Sequence, residues 1–133
     1  MRLTVHVSLL VALICTSLVA LPLFAADQTK EAAAIHEAMR QFVKSSTING
    51  TYYLYDAVEG KLLALKFAGL HEGVASEGDL RASCADFTDQ FGRKLDVDFV
   101  VVAADNGYVV TEAILHKVDG NKRPYSLKIE TPK

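Results

Sequence analysis

The chain has 133 residues, half of them hydrophobic, with 14 basic and 16 acidic side chains and a net charge of −2. A domain of this size buries about two thirds of its unfolded surface, so it needs neither a disulfide nor a metal to fold. Charges of both signs are scattered along the chain, which excludes the basic patch typical of a nucleic-acid-binding protein.

Residues 1–25 have the layout of a secretory signal peptide. One basic residue, Arg2, precedes a long apolar run that ends in small residues. We expect cleavage after Ala25, which leaves a single domain, residues 26–133, exported to the periplasm or the extracellular space. A retained membrane anchor is the alternative, because the apolar run is close to the roughly 20 residues that span a bilayer. Membrane contact is expected only if this segment is retained.

Residues 29–46 are predicted to form a helix. Apolar side chains, among them Ile35, Met39 and Phe42, recur at three- and four-residue spacing, and charged side chains occupy the other side. The Asn-Gly pair at 49–50 supplies the positive φ values that end a helix and reverse the chain.

Strand-like segments follow, separated by turn-forming Gly, Asn and Asp residues. We predict strands over residues 51–55, 62–70, 80–88, 95–104 and 108–116, with a short edge strand over 125–129. The first two should form a hairpin, and Asp105-Asn106-Gly107 is the strongest hairpin signal in the chain. A helix before four or five consecutive antiparallel strands predicts an α+β fold in which a curved meander packs on the helix. This order of elements resembles the cystatin-like architecture, a resemblance that implies a fold and no function.

A second resemblance rests on particular residues along the domain. These residues are Asp56, Gly60, Lys61, Leu65, Phe67 and His71, then Cys84-Ala85-Asp86-Phe87, then Asp96-Val97-Asp98-Phe99, and finally His116-Lys117. Together they resemble a group of small exported bacterial proteins of unassigned function. The resemblance implies no catalytic residues.

Four residues of metal-ligand type lie at predicted strand positions: His71, Cys84, Asp86 and His116. A folded meander could bring them together, and zinc or copper accepts such a mixture of donors. Their spacing matches no compact ligand motif, however. A buried cysteine with two exposed histidines at strand ends explains the same residues.

Cys84 also has a catalytic interpretation. It is the only cysteine left after signal cleavage, so it has no partner for an internal disulfide. His71 or His116 could lower the pKa of the thiol and make it a nucleophile. No known cysteine-enzyme signature surrounds it, and an inert core thiol is the preferred interpretation.

Three carboxylates are expected to be neighbours. If the strand over 80–88 pairs with the strand over 95–104, Asp86, Asp96 and Asp98 come close to one another. Such a group could hold calcium or act as an acid and base pair. We prefer the interpretation that these aspartates belong to a solvated sheet face.

Aromatic side chains offer a further candidate site. Tyr53, Tyr55 and Phe67 could line a concave sheet and hold a small apolar ligand. They are also the side chains that an ordinary strand core uses.

The sequence therefore favours an exported, non-catalytic binding or interaction module for an unidentified small molecule or protein. We assign no catalytic residue and expect no cofactor and no nucleic acid. One alternative is a metal- or thiol-linked protein that uses Cys84 with His71 or His116. Another is a small enzyme with a pocket in the curved sheet. A homodimer is left open.

Overall fold

The computed structural model describes residues 22–125, with side chains from residue 27 onward. One α-helix packs on one antiparallel sheet, which confirms the predicted α+β class. The elements are α1 (Pro22–Ser45), β1 (Thr47–Ile48), β2 (Thr51–Asp56), β3 (Lys61–Leu70), β4 (Ala75–Glu77), β5 (Leu80–Asp89), β6 (Lys94–Ala104), β7 (Gly107–Val118) and β8 (Asn121–Lys122). The predicted signal segment up to residue 21, and all but the first residue of the predicted strand over 125–129, lie outside the described residues.

Within the described residues, α1 runs from Pro22 and so includes residues before the predicted start at residue 29. Ile35 and Met39 are fully buried, and Phe42 packs against the same core. Within residues 22–125, no helix is both long and apolar enough to cross a membrane.

Within residues 22–125 the sheet has eight strands, so the prediction of four or five is wrong. The five long strands, β2, β3, β5, β6 and β7, correspond to the predicted ones and pair antiparallel in that order. The three additional strands are short, and each is joined to a neighbour by a two-residue loop.

Two of these loops are tight hairpin turns. Asn49 and Gly50 both have positive φ, and so do Asp119 and Gly120. Two consecutive residues with positive φ make the tight turn that matches the twist of a hairpin. The Asn-Gly pair therefore forms a hairpin between β1 and β2, and it is not the helix stop that the sequence suggested. The helix ends at Ser45.

The sheet curls around the helix. Its inner face, the one that contacts α1, carries the core, and β2 approaches β7 although the two strands do not pair. The core consists of Ile35, Met39, Val43, Tyr52, Leu63, Leu65, Ala85, Phe87, Leu95, Val97, Phe99, Val101, Val110, Leu115 and Val118. The opposite, outer face of the sheet is not covered by the helix.

Candidate metal centre

The register of β5 and β6 aligns the polar residues of the outer face. Cys84 lies opposite Asp98, and Asp86 lies opposite Asp96. Because successive side chains of a strand point to opposite faces, all four share one face while Ala85, Val97 and their neighbours enter the core. The short loop between the two strands correctly predicted this pairing.

A β-bulge adds a histidine from β7. Asp96 pairs with Lys117, but the next residue of β6, Val97, pairs with Leu115, so His116 is an extra residue on β7. An extra residue bends the strand and redirects its side chains. As a result, both His116 and Lys117 reach Asp96: the distances to Asp96 Oδ2 are 3.9 Å from His116 Nδ1 and 3.0 Å from Lys117 Nζ.

A second bulge positions His71 beside the same face. The bulge lies in β3 between Phe67 and Gly69, and beyond it the chain continues alongside β5. The backbone N–H of His71 donates to the carbonyl of Cys84 at 2.9 Å. The side chains of His71 and Asp86 form an exposed pair, with 3.0 Å between Nε2 and Oδ1.

We call His71, Cys84, Asp96, Asp98 and His116 the outer-face cluster. Within it, one potential ligand atom from each of His71, Cys84 and Asp96 lies within 4.8 Å of the other two. The same holds for Asp96, Asp98 and His116. Asp96 belongs to both triads, so the two sets of donors surround one carboxylate.

Two polar atoms of the cluster are buried without a hydrogen-bond partner: Asp96 Oδ1 and His116 Nδ1. His116 Nδ1 is 3.3 Å from Asp98 Oδ1, but the groups are not aligned for a hydrogen bond. Buried polar atoms are nearly always paired, because leaving one unpaired costs about 1–3 kcal/mol. The cluster therefore contains one oxygen and one nitrogen atom that are free to bind a ligand.

The surroundings of Cys84 favour the protonated thiol. Burial raises its pKa well above the ordinary value, and a hydrogen bond from Sγ to Asp98 Oδ1, at 2.9 Å, raises it further. A neutral thiol is a poor nucleophile, which argues against the catalytic interpretation of Cys84. A bound cation would reverse this preference, since coordination deprotonates a thiol.

Three of the four residues predicted as metal ligands belong to the two triads, but not all three to the same one. His71, Cys84 and His116 lie in the triads, whereas Asp86 lies beside His71 and outside both. Sequence reasoning considered Asp96 and Asp98, together with Asp86, as a possible calcium site or acid and base pair, and did not group them with the histidines and Cys84. It preferred the interpretation that all three aspartates are solvated. That interpretation fits Asp86, whose side chain is 58% exposed, and is wrong for Asp96 and Asp98, at 12% and 8%.

The predicted aromatic site is not assembled. Tyr53 is exposed on the outer face, as is Tyr55, whereas Phe67 contacts the core residue Phe87 on the inner face, with 5.6 Å between ring centroids. Phe67 borders a groove of about 370 Å³ beside the end of the helix. The three residues therefore do not line one pocket.

Comparison with known proteins gives no match to any protein family, to any curated protein or to any solved structure.

Proposed function

We propose that this chain is an exported, non-catalytic binding module whose ligand is a divalent transition-metal ion, held by the outer-face cluster. The observation that carries the proposal is the position of Asp96. This carboxylate is shared by two triads of potential ligands, and its Oδ1 is buried with no hydrogen-bond partner. A cation at this point would satisfy the unpaired oxygen and the unpaired His116 nitrogen together.

The mixture of donors selects the class of metal. Zinc and copper accept sulfur, imidazole nitrogen and carboxylate oxygen, whereas calcium and magnesium prefer oxygen alone. Each triad contains a histidine, and one contains the Cys84 sulfur. Zn²⁺ suits the site best, because it tolerates mixed donors and tetrahedral geometry.

We also propose that the chain is exported and that its fold is cystatin-like. The layout of residues 1–25 supports a cleaved signal peptide. A helix packed on a curled antiparallel sheet supports a cystatin-like arrangement, and this likeness of fold carries no function.

The test is titration of the exported protein with Zn²⁺ by calorimetry, and with Co²⁺ by absorption spectroscopy. We expect one ion per chain, a thiolate-to-cobalt absorption band, and release of the thiol proton on binding. Cys84→Ser should abolish the band. Asp96→Asn should weaken Zn²⁺ binding by more than the roughly 10–100-fold that loss of an outer-shell partner costs.

The matched control is Glu112→Gln. Glu112 is exposed on the outer face of β7, opposite Val100, and lies outside both triads. The substitution removes one negative charge, as Asp96→Asn does, without removing a potential ligand. The Zn²⁺ affinity of Glu112→Gln should therefore match that of the unmodified protein. Absence of Zn²⁺ and Co²⁺ binding, or equal loss of affinity in Glu112→Gln and Asp96→Asn, would disprove the metal centre.

A further inference from the structure

Lys117 places a cation beside the outer-face cluster. Its Nζ donates to Asp96 Oδ2 at 3.0 Å, and the pairing raises the pKa of the lysine. In a regular strand Lys117 would point to the face opposite that of His116. The bulge at His116 instead turns both side chains toward Asp96.

The position of this ammonium group matters because Asp96 is common to both triads. One of its oxygens, Oδ2, accepts from Lys117, while Oδ1 has no partner. Lys117 thus neutralises the carboxylate only in part. Asp98, which is also largely buried, accepts a hydrogen bond from the neutral Cys84 thiol and gains little charge compensation from it.

Resting on the function proposed above, we infer that Lys117 is an internal competitor that occupies the metal centre when the ion is absent and leaves Asp96 when the ion binds. A divalent ion supplies twice the charge of an ammonium group and can contact sulfur, nitrogen and oxygen at once. The lysine side chain is 32% exposed. Its flexible stem can therefore move the ammonium group from Asp96 into water.

This competition has two measurable consequences. Displacing Lys117 uses part of the binding free energy of the metal, so the affinity is lower than the ligand set alone would give. The metal-free protein in turn depends on Lys117 to compensate Asp96. Removal of the ammonium group should therefore strengthen metal binding and lower the melting temperature of the metal-free protein, both by the same mechanism.

The experiment compares Zn²⁺ affinity and thermal melting, with and without Zn²⁺, for the unmodified protein and for Lys117→Met. A hydrogen bond between charged groups is strong enough that its release should raise the affinity about tenfold or more. The melting temperature of metal-free Lys117→Met should fall, and saturating Zn²⁺ should restore it to that of the loaded unmodified protein.

Two further variants serve as controls. Lys66→Met removes an exposed lysine from the outer face of β3, away from the cluster, and should leave Zn²⁺ affinity unchanged. Lys117→Arg keeps a cation beside Asp96 and should bind Zn²⁺ no more tightly than the unmodified protein. It remains informative if Lys117→Met fails to fold.

The outcomes separate the two proposals. If the unmodified protein binds Zn²⁺ and Lys117→Met binds it equally or more weakly, the competitor role is wrong and the metal centre stands. The same conclusion follows if Lys117→Arg binds more tightly than the unmodified protein. If none of the proteins binds Zn²⁺, the proposed function fails and this inference fails with it.

Discussion

Arg123 donates a hydrogen bond to Asp56 across 67 positions of the chain, joining the segment after β8 to the end of β2. The Asp56 side chain is fully buried and that of Arg123 is 13% exposed. Glu59 extends the contact, since it accepts from both Arg123 and Arg93, and Arg93 in turn binds the buried Asp89. This network links the end of β2 and the β2–β3 loop to the β5–β6 turn and to the segment after β8.

Loss of Arg123 should therefore destabilise the fold strongly. Arg123→Met leaves the Asp56 carboxylate buried without its cation, and breaking a buried ion pair in this way costs about 3–5 kcal/mol. Arg40→Met is the control, because Arg40 belongs to an exposed helix pair with Glu37, and such pairs contribute about 0–1 kcal/mol. Urea unfolding measures both. Equal midpoints for the two variants would show that the buried network does not stabilise the protein.

The helix should be an essential part of the core. Met39 is fully buried in the core, so Met39→Ala should lower the free energy of unfolding by about 2–5 kcal/mol through lost burial and a residual cavity. Gln41→Ala changes an exposed position on the same helix and should have little effect. If chemical denaturation gives the same stability for both variants, the helix does not close the core as described.

The Cys84 thiol should react slowly and respond to Asp98. Because burial and the hydrogen bond to Asp98 raise its pKa, labelling of metal-free protein by a thiol reagent should keep accelerating above the ordinary thiol pKa of about 8.5. Asp98→Asn removes the negative charge that opposes the thiolate, so it should lower the pKa and speed labelling at pH 8. Glu112→Gln should leave the labelling rate at pH 8 unchanged. A rate that levels off near pH 8.5 in the unmodified protein contradicts this assignment.

Glu31 should contribute a pH-dependent part of the stability. Arg81 Nε donates to Glu31 at 2.6 Å and Tyr108 donates to the same oxygen at 3.0 Å. The hydrogen bond from Arg81 lowers the pKa of Glu31 below its ordinary value of 4.5. A carboxyl whose pKa is lowered by folding stabilises the protein above that ordinary value, and the contribution is lost as the pH falls through the folded-state pKa.

Glu31→Gln should thus be less stable than the unmodified protein at pH 7, by about 1 kcal/mol or less because the pair is partly solvated. The difference should shrink as the pH is lowered below 4.5. Glu77→Gln, at an exposed position of β4, serves as the control. Unfolding by urea at a series of pH values measures the effect, and a constant difference between pH 3 and pH 7 would contradict it.

The sequence by itself determined the fold class and the positions of the long strands. Alternation with a period of two and turn residues such as Asp105-Asn106-Gly107 are local signals, which are visible in the sequence without knowledge of any tertiary contact. The buried stripe of Ile35 and Met39 was predictable for the same reason. Short strands such as β1 were not, because a two-residue segment carries no periodicity and exists only by virtue of its hairpin turn.

Only the tertiary structure decided the composition of the outer-face cluster. Alternation placed Cys84 and Asp86 on one face, but the bulge at His116 redirected both that histidine and Lys117, and no sequence pattern marks where a bulge will form. The burial of Asp96 and Asp98 likewise depends on residues of neighbouring strands. The pairing of Asp56 with Arg123 arises because the sheet curls far enough for distant chain segments to meet, which follows from the cumulative twist of several strands and from no single segment.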